Sequence, residues 1–263
     1  MSSVNPFFEV YKEPLYTKSG IPVNKVALIN AETNSVIGVA SPNYEIVPNK
    51  KIAELFENAF DKVVSVEDHL DARTSRWCRH IVLDTDEYAI EITKGDIVRV
   101  MLKIFNSYNA KAAFGFSVSA IRLACLNGMT VIDPAVLSVK YYHFHNNANA
   151  IKIDFSDVVV NLSDSIKKWK QWTKVEYSRD NFKEFVEKLP YISDKMTDYL
   201  LNNYDVYKSK FRGNDTKWTA YNAITYAMTH NTAARRGSHI FSNRFNTLNK
   251  VAHDFYKSDV IEV

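Results

Sequence analysis

The hydrophobic period changes once along this chain, and that change bounds the fold more tightly than any other feature of the sequence. Before about residue 150, apolar residues recur at every second position. Val98, Val100, Leu102 and Ile104 share one face of a predicted strand over 97–105, and Arg99, Met101, Lys103 and Phe105 share the other. Thr93–Asp96, containing Gly95, marks the turn before it, and Asn106–Asn109 the turn after it. Similar runs predict strands over 26–29, 35–39, 44–47, 63–66, 76–83, 114–123 and 136–144. Asn49 is placed to cap one helix carrying Ile52, Leu55, Phe56, Ala59 and Phe60 at helical spacing. Connections this short favour antiparallel pairing, because a parallel pair needs a crossover of about a dozen residues or more.

After Asn149 the period lengthens to that of a helix. Helices are predicted over 156–175, 180–188, 194–210, 216–229 and 233–257, with Ser193, Asp215 and Thr232 as caps. Strands followed by helices define an α+β chain: an antiparallel β-sheet N-terminal half with one packed helix, then a helical C-terminal half. The expected organisation is an irregular arm over 1–20, a β-rich core over 21–150, and a helical region over 151–263 packed on it as one folding unit.

Composition closes off several classes. At 263 residues the chain can bury a large core. No apolar run approaches the roughly 18 residues that span a bilayer. The start, Met1-Ser-Ser-Val-Asn-Pro6, has no charged segment followed by an apolar one, so no secretory signal and no membrane association are expected. Cys78 and Cys125 are too few for a disulfide framework and read as buried thiols of a reducing compartment. A cytoplasmic location follows. The net charge of +3 is modest but uneven. Residues 1–150 hold 15 Lys+Arg and 16 Asp+Glu (15 − 16 = −1), and residues 151–263 hold 18 and 14 (18 − 14 = +4).

Catalytic signatures are missing. The chain has no Gly-rich phosphate loop, no Gly-x-Ser-x-Gly elbow and no His-Glu-x-x-His pair. His143 and His145 fall on one face of a strand, yet two histidines with no third ligand in view do not make a zinc site. No catalytic residue, cofactor or metal is therefore expected, and the chain reads as a non-enzyme. Basic patterning is the more informative signal. In Ile166–Lys174 the side chains of Lys167, Lys170 and Lys174 form a stripe, and Trp169 and Trp172 are expected to pack inward. On the last helix Arg236 and Lys250 lie along a face without acids, and Arg235 precedes it. Arg99, Lys103 and Arg122 are candidates on the sheet. Cations interleaved with aromatics suit phosphate contacts and base stacking.

Three blocks carry a family resemblance. Ala120-Ile-Arg-Leu-Ala-Cys-Leu-Asn-Gly-Met129 resembles an Arg-x-x-Cys-x-Asn-Gly/Thr block of a phage- and plasmid-borne family. Trp218-Thr-Ala-Tyr-Asn-Ala-Ile-Thr-Tyr-Ala-Met-Thr-His230 is similar to a second block of that family, and Ser41–Pro48 to its N-terminal block. The family is that of the phage/plasmid-like proteins, domain of unknown function nine-three-two. The resemblance implies a protein of a mobile element, acting in the cytoplasm of the infected or plasmid-bearing cell. The order of sheet and helices also resembles, in architecture alone, phage single-strand annealing proteins of the Red-beta and Erf type. The resulting expectation is a homo-oligomeric, single-stranded-DNA-binding or annealing protein of recombination or replication. Its DNA contacts would come from Arg99, Lys103, Arg122, Lys167, Lys170, Lys174, Arg235, Arg236 and Lys250. The alternative is a non-enzymatic phage protein that binds and inhibits a host defence or restriction protein.

Overall fold

A computed structural model describes residues 5–57, 63–71, 74–84, 89–122, 127–129, 138–143, 156–211, 213–229 and 243–258. It is α+β, with antiparallel strands first and helices after. The chain divides into two compact units that interleave along the sequence. The first comprises residues 1–83, 102–117 and 138–154, and the second residues 84–101, 118–137 and 155–263.

In the first unit, β1 (Val10–Tyr16), β2 (Pro22–Asn30) and β3 (Ser35–Ala40) form a three-stranded antiparallel sheet. The residues expected to be an irregular arm thus contribute a strand. Pro14 is tolerated because β1 is an edge strand, and the register shifts between Pro14 and Leu15. The β2–β3 turn over 31–34 closes through Asn34, whose φ of +52° is the left-handed conformation that asparagine accepts more readily than most residues. Leu28, Ala40 and Tyr44 form a small core beneath this sheet. The segment 44–47, expected as a strand, is irregular, with Tyr44 and Val47 buried and the Tyr44 amide turned back to the Ser41 carbonyl.

The helix α1 (Asn49–Glu57) follows, burying Ile52, Ala53 and Phe56. Asn49 does not use its side chain as a cap. Its amide nitrogen donates to the Pro6 carbonyl and its oxygen accepts from Asn106, so it ties the N-terminal segment to the sheet.

A larger antiparallel sheet is ordered β10-β8-β7-β5-β4, built from β4 (Val63–Asp71), β5 (Arg76–Leu83), β7 (Asp96–Ser107), β8 (Phe114–Arg122) and β10 (Ser138–Tyr141). β6 (Ala89–Thr93) pairs with β7, and β9 (Asn127–Met129) with β8. The β6–β7 turn needs Gly95, whose φ is +80°. Along β7 the expected alternation holds with Val98, Val100, Leu102 and Ile104 all buried. Met101 is buried too, on the side that carries Arg99 and Lys103.

The second unit holds the helices α2 (Ser156–Trp172), α3 (Arg179–Glu187), α4 (Asp194–Phe211), α5 (Lys217–Thr229) and α6 (Asn243–Lys257). Buried Trp169, Trp172, Tyr221 and Phe255 form its aromatic centre, with Trp172 5.2 Å from Tyr221 and 5.7 Å from Phe255 between ring centroids. α5 is buried nearly all round, which explains why its sequence shows no polar stripe. Two of its polar side chains bond back to the helix: Asn222 donates to the Trp218 carbonyl and Thr225 to the Asn222 carbonyl. The cap of α5 is Thr216, whose hydroxyl accepts from the Thr219 amide, and not Asp215, whose carboxylate is taken by Tyr204 and Lys208. Arg235, Arg236, Thr232, Cys125 and His145 lie outside the described residues. No described helix is long and apolar enough to cross a membrane.

Candidate nucleic-acid interface

One cleft among the described residues of the first unit has a volume of about 400 Å3 and is lined by both cations and aromatics. Three segments build it: the end of β3 with Ser41 and Tyr44, the turn 110–113 after β7, and Tyr142–His143 after β10. Its floor is rigid. Tyr44 and His143 stack at 4.8 Å between centroids with 22° between ring planes, and Phe114 meets the His143 edge at 5.3 Å. Two reciprocal bonds lock the floor: the Glu45 amide donates to the His143 carbonyl, and His143 Nδ1 donates to the Glu45 carbonyl at 3.0 Å. The Tyr44 hydroxyl donates to the Ser107 carbonyl. Burial holds the His143 imidazole below its ordinary pKa, so the ring stays neutral at neutral pH.

The rim is polar. Tyr142 is 68% exposed, and Lys25 and Lys111 are exposed beside it. Lys111 is held by its turn: the Asn109 side-chain oxygen accepts from the Lys111 amide at 3.1 Å and from the Ser107 hydroxyl. Ala110 adopts a φ of +59°, so the turn is tight. An exposed ring that shares a cleft with two lysines over a packed aromatic floor can stack a planar base and hold its phosphates. The sequence reading did not single out Lys25, Lys111 or Tyr142, because they come from segments far apart in the chain.

The cations that the sequence did single out have varied fates. Arg99 is bonded to Asp84 at 2.9 Å, with its side chain 23% exposed. Lys103 is partly buried beside Cys78, and burial pushes its ammonium pKa down while pushing the Cys78 thiol up to about 12. Arg122 lies within the second unit, with its side chain 11% exposed. Its Nε donates to Asp96 Oδ1 and its Nη1 to the Tyr207 hydroxyl, and its guanidinium lies 5.9 Å from the Tyr207 ring and 5.8 Å from that of Phe211. Asp96 Oδ2 accepts from Trp218 Nε1 at 2.9 Å. Arg122 and Trp218, one from each of two sequence blocks, thus meet on one buried carboxylate. This network borders a smaller cleft of about 170 Å3 lined by Thr93, Thr173 and Asn214 among others.

On α2, Trp169 and Trp172 are buried as expected and Lys167 and Lys170 are exposed; the helix ends at Trp172, so Lys174, also exposed, lies in the turn after it. Lys167 pairs with Asp164 at 3.1 Å, both side chains well exposed. Lys250 is exposed and its ammonium lies 3.7 Å from the centroid of the Tyr191 ring. Among the described residues, Glu67, His69 and His80 form a group whose side chains could ligate a metal, which the sequence reading missed.

The family model described as Domain of unknown function (DUF932) matches residues 36–250. The chain belongs to this family. No curated protein and no solved structure shows significant similarity to it. Membership covers both the cleft's Tyr44, Lys111 and Tyr142 and the Asp96–Arg122–Trp218 network, whereas Lys25 lies before the matched residues.

Proposed function

We propose that this protein of the domain-of-unknown-function family binds single-stranded DNA without covalent chemistry, using the cleft around Tyr142. The observation that carries the reading is the placement of Lys25, Lys111 and the exposed Tyr142 on the rim of one cleft with a stacked Tyr44–His143 floor. A base would stack on Tyr142 and its flanking phosphates would pair with the two lysines. A duplex keeps its bases stacked on one another and offers no such face, so the single strand is preferred. The exposed Lys167 and Lys170 of α2, with Lys174 in the turn after it, would offer further phosphate contacts on the second unit. A cleft of about 400 Å3 matches roughly one nucleotide, so a longer strand would be held by several copies, as a homo-oligomer engaged in annealing would do.

The test is fluorescence anisotropy of a labelled oligo-dT, and of a duplex of equal length, at several salt concentrations. Single-strand preference with steep salt dependence is expected. Tyr142→Ala should weaken binding by about five- to 150-fold, the equivalent of about 1–3 kcal/mol for one lost stack. Lys25→Gln with Lys111→Gln should lower the salt slope by about 1.4, two contacts at about 0.7 each. Binding to neither nucleic acid, or binding indifferent to Tyr142, would overturn the reading and turn the search to a protein partner.

A further inference from the structure

Strands β4 and β5 carry a second group of functional side chains that nucleic-acid binding leaves unused. In their antiparallel register Glu67 lies opposite His80, and His69 opposite Cys78. Strand alternation places these four on one face, and Asp68, Leu70, Trp77 and Arg79 on the other. The latter face is closed by its own bonds: Arg79 pairs with Asp68 at 2.8 Å and with Glu57, and Trp77 Nε1 donates to Asp68 at 2.7 Å.

The former face gathers metal-ligating atoms. One atom each from Glu67, His69 and His80 lies within 4.8 Å of the other two. His69 Nε2 and Glu67 Oε2 are 3.7 Å apart, and the two imidazoles meet edge to face with centroids 4.9 Å apart. An ion with bonds of about 2.1 Å holds its ligands roughly 3.0–3.4 Å from one another. Closing the set asks for a movement of about an ångström or less for the nearer pair, and somewhat more for the widest. Glu67, with its side chain 71% exposed, and half-buried His80 have room to make it against a buried His69.

We infer that Glu67, His69 and His80 form a binding site for a divalent transition-metal ion. Two imidazoles with one carboxylate favour zinc, cobalt or iron(II) over calcium and magnesium, which take oxygen ligands. Closed structural zinc sites use four protein ligands. Three on one face of a strand pair leave the ion at least one position for water, on the side where Glu67 meets solvent. The site is independent of the cleft around Tyr142, so each proposal stands or falls without the other.

The test uses the full chain stripped with a chelator and then titrated with Co2+, followed by visible absorption, and with Zn2+, followed by calorimetry. The expected result is one ion per chain, Co2+ bands that Zn2+ abolishes, and a melting temperature raised by Zn2+. Glu67→Gln and His80→Asn should each weaken Zn2+ binding at least tenfold and remove the thermal shift, while melting like the wild type in chelator. If His80→Asn does not fold, Glu67→Gln at its exposed position carries the test alone. No saturable uptake by the wild type, or uptake of equal affinity in a folded variant, would overturn the site.

Discussion

Removing the Arg122 guanidinium should cost stability and leave nucleic-acid affinity almost unchanged. Arg122 and Asp96 have side chains 11% and 8% exposed, so solvent screens their pairing little. In Arg122→Met the stem still packs near Tyr207 and Phe211, but Asp96 keeps only its Trp218 bond, at 2.9 Å, among those described here. Stripping one partner from a buried ion pair costs about 3–5 kcal/mol, because the other charge is left uncompensated. The surviving Trp218 bond points to the lower end, about 3 kcal/mol. At about 2–4 °C per kcal/mol for chains of this size, the melting temperature should fall by roughly 6–12 °C. Against a total stability of about 5–15 kcal/mol, the variant still folds.

A double-mutant cycle isolates the cause. Asp96→Asn should also destabilise, but Arg122→Met with Asp96→Asn should cost less than the sum of the two, by about 1.5 kcal/mol or more. Urea titration followed by tryptophan fluorescence measures all four proteins. If Arg122→Met stays within about 1 kcal/mol of the wild type, or the two changes add, the carboxylate is not held as described. If its affinity for oligo-dT falls steeply while its stability holds, Arg122 is a ligand-binding residue and its internal role is refuted.

Other expectations follow from single positions. A Cβ added at Gly38 would lie 2.9 Å from backbone atoms of Asn109, so Gly38→Ala should destabilise by about 1–3 kcal/mol in urea titration, and a neutral result would mean that the strand and turn can part. Burial lowers the folded pKa of His143 below its unfolded value of about 6.5. Above that pH the ring is neutral in both states; as pH falls, the unfolded chain takes up a proton that the folded chain refuses. Stability should therefore decline below about pH 6.5 by up to about 1.4 kcal/mol per unit, until the folded pKa is reached. His143→Asn should show a shallower slope between about pH 6.5 and 5, and equal slopes would contradict the burial argument. Trp218→Phe removes a bond to the Asp96 carboxylate and should lower stability by about 1.5–3 kcal/mol, read by the same urea titration.

Most strands and helices among the described residues are legible in the local sequence pattern. The alternation of Val98, Val100, Leu102 and Ile104 and the helical spacing after Asn149 are local patterns, because strand and helix periods are set within a few residues. Gly95 and the 30–34 loop were legible for the same reason, since turn chemistry acts over short spans. Local pattern misread Tyr44–Val47, where burial of Tyr44 and Val47 holds an irregular segment, and the arm, where an edge position admits Pro14 to a strand. What each charge does is set by the folded arrangement. Arg122 looks like an available cation in sequence, yet its partners Asp96 and Tyr207 stand 26 and 85 residues away. Lys25, Lys111 and Tyr142 meet only because three distant segments share a cleft, and Glu67, His69 and His80 only because antiparallel register sets 67 against 80. Backbone conformation follows from neighbours along the chain, whereas the neutralisation or exposure of a charge depends on which distant groups folding brings within a few ångströms of it.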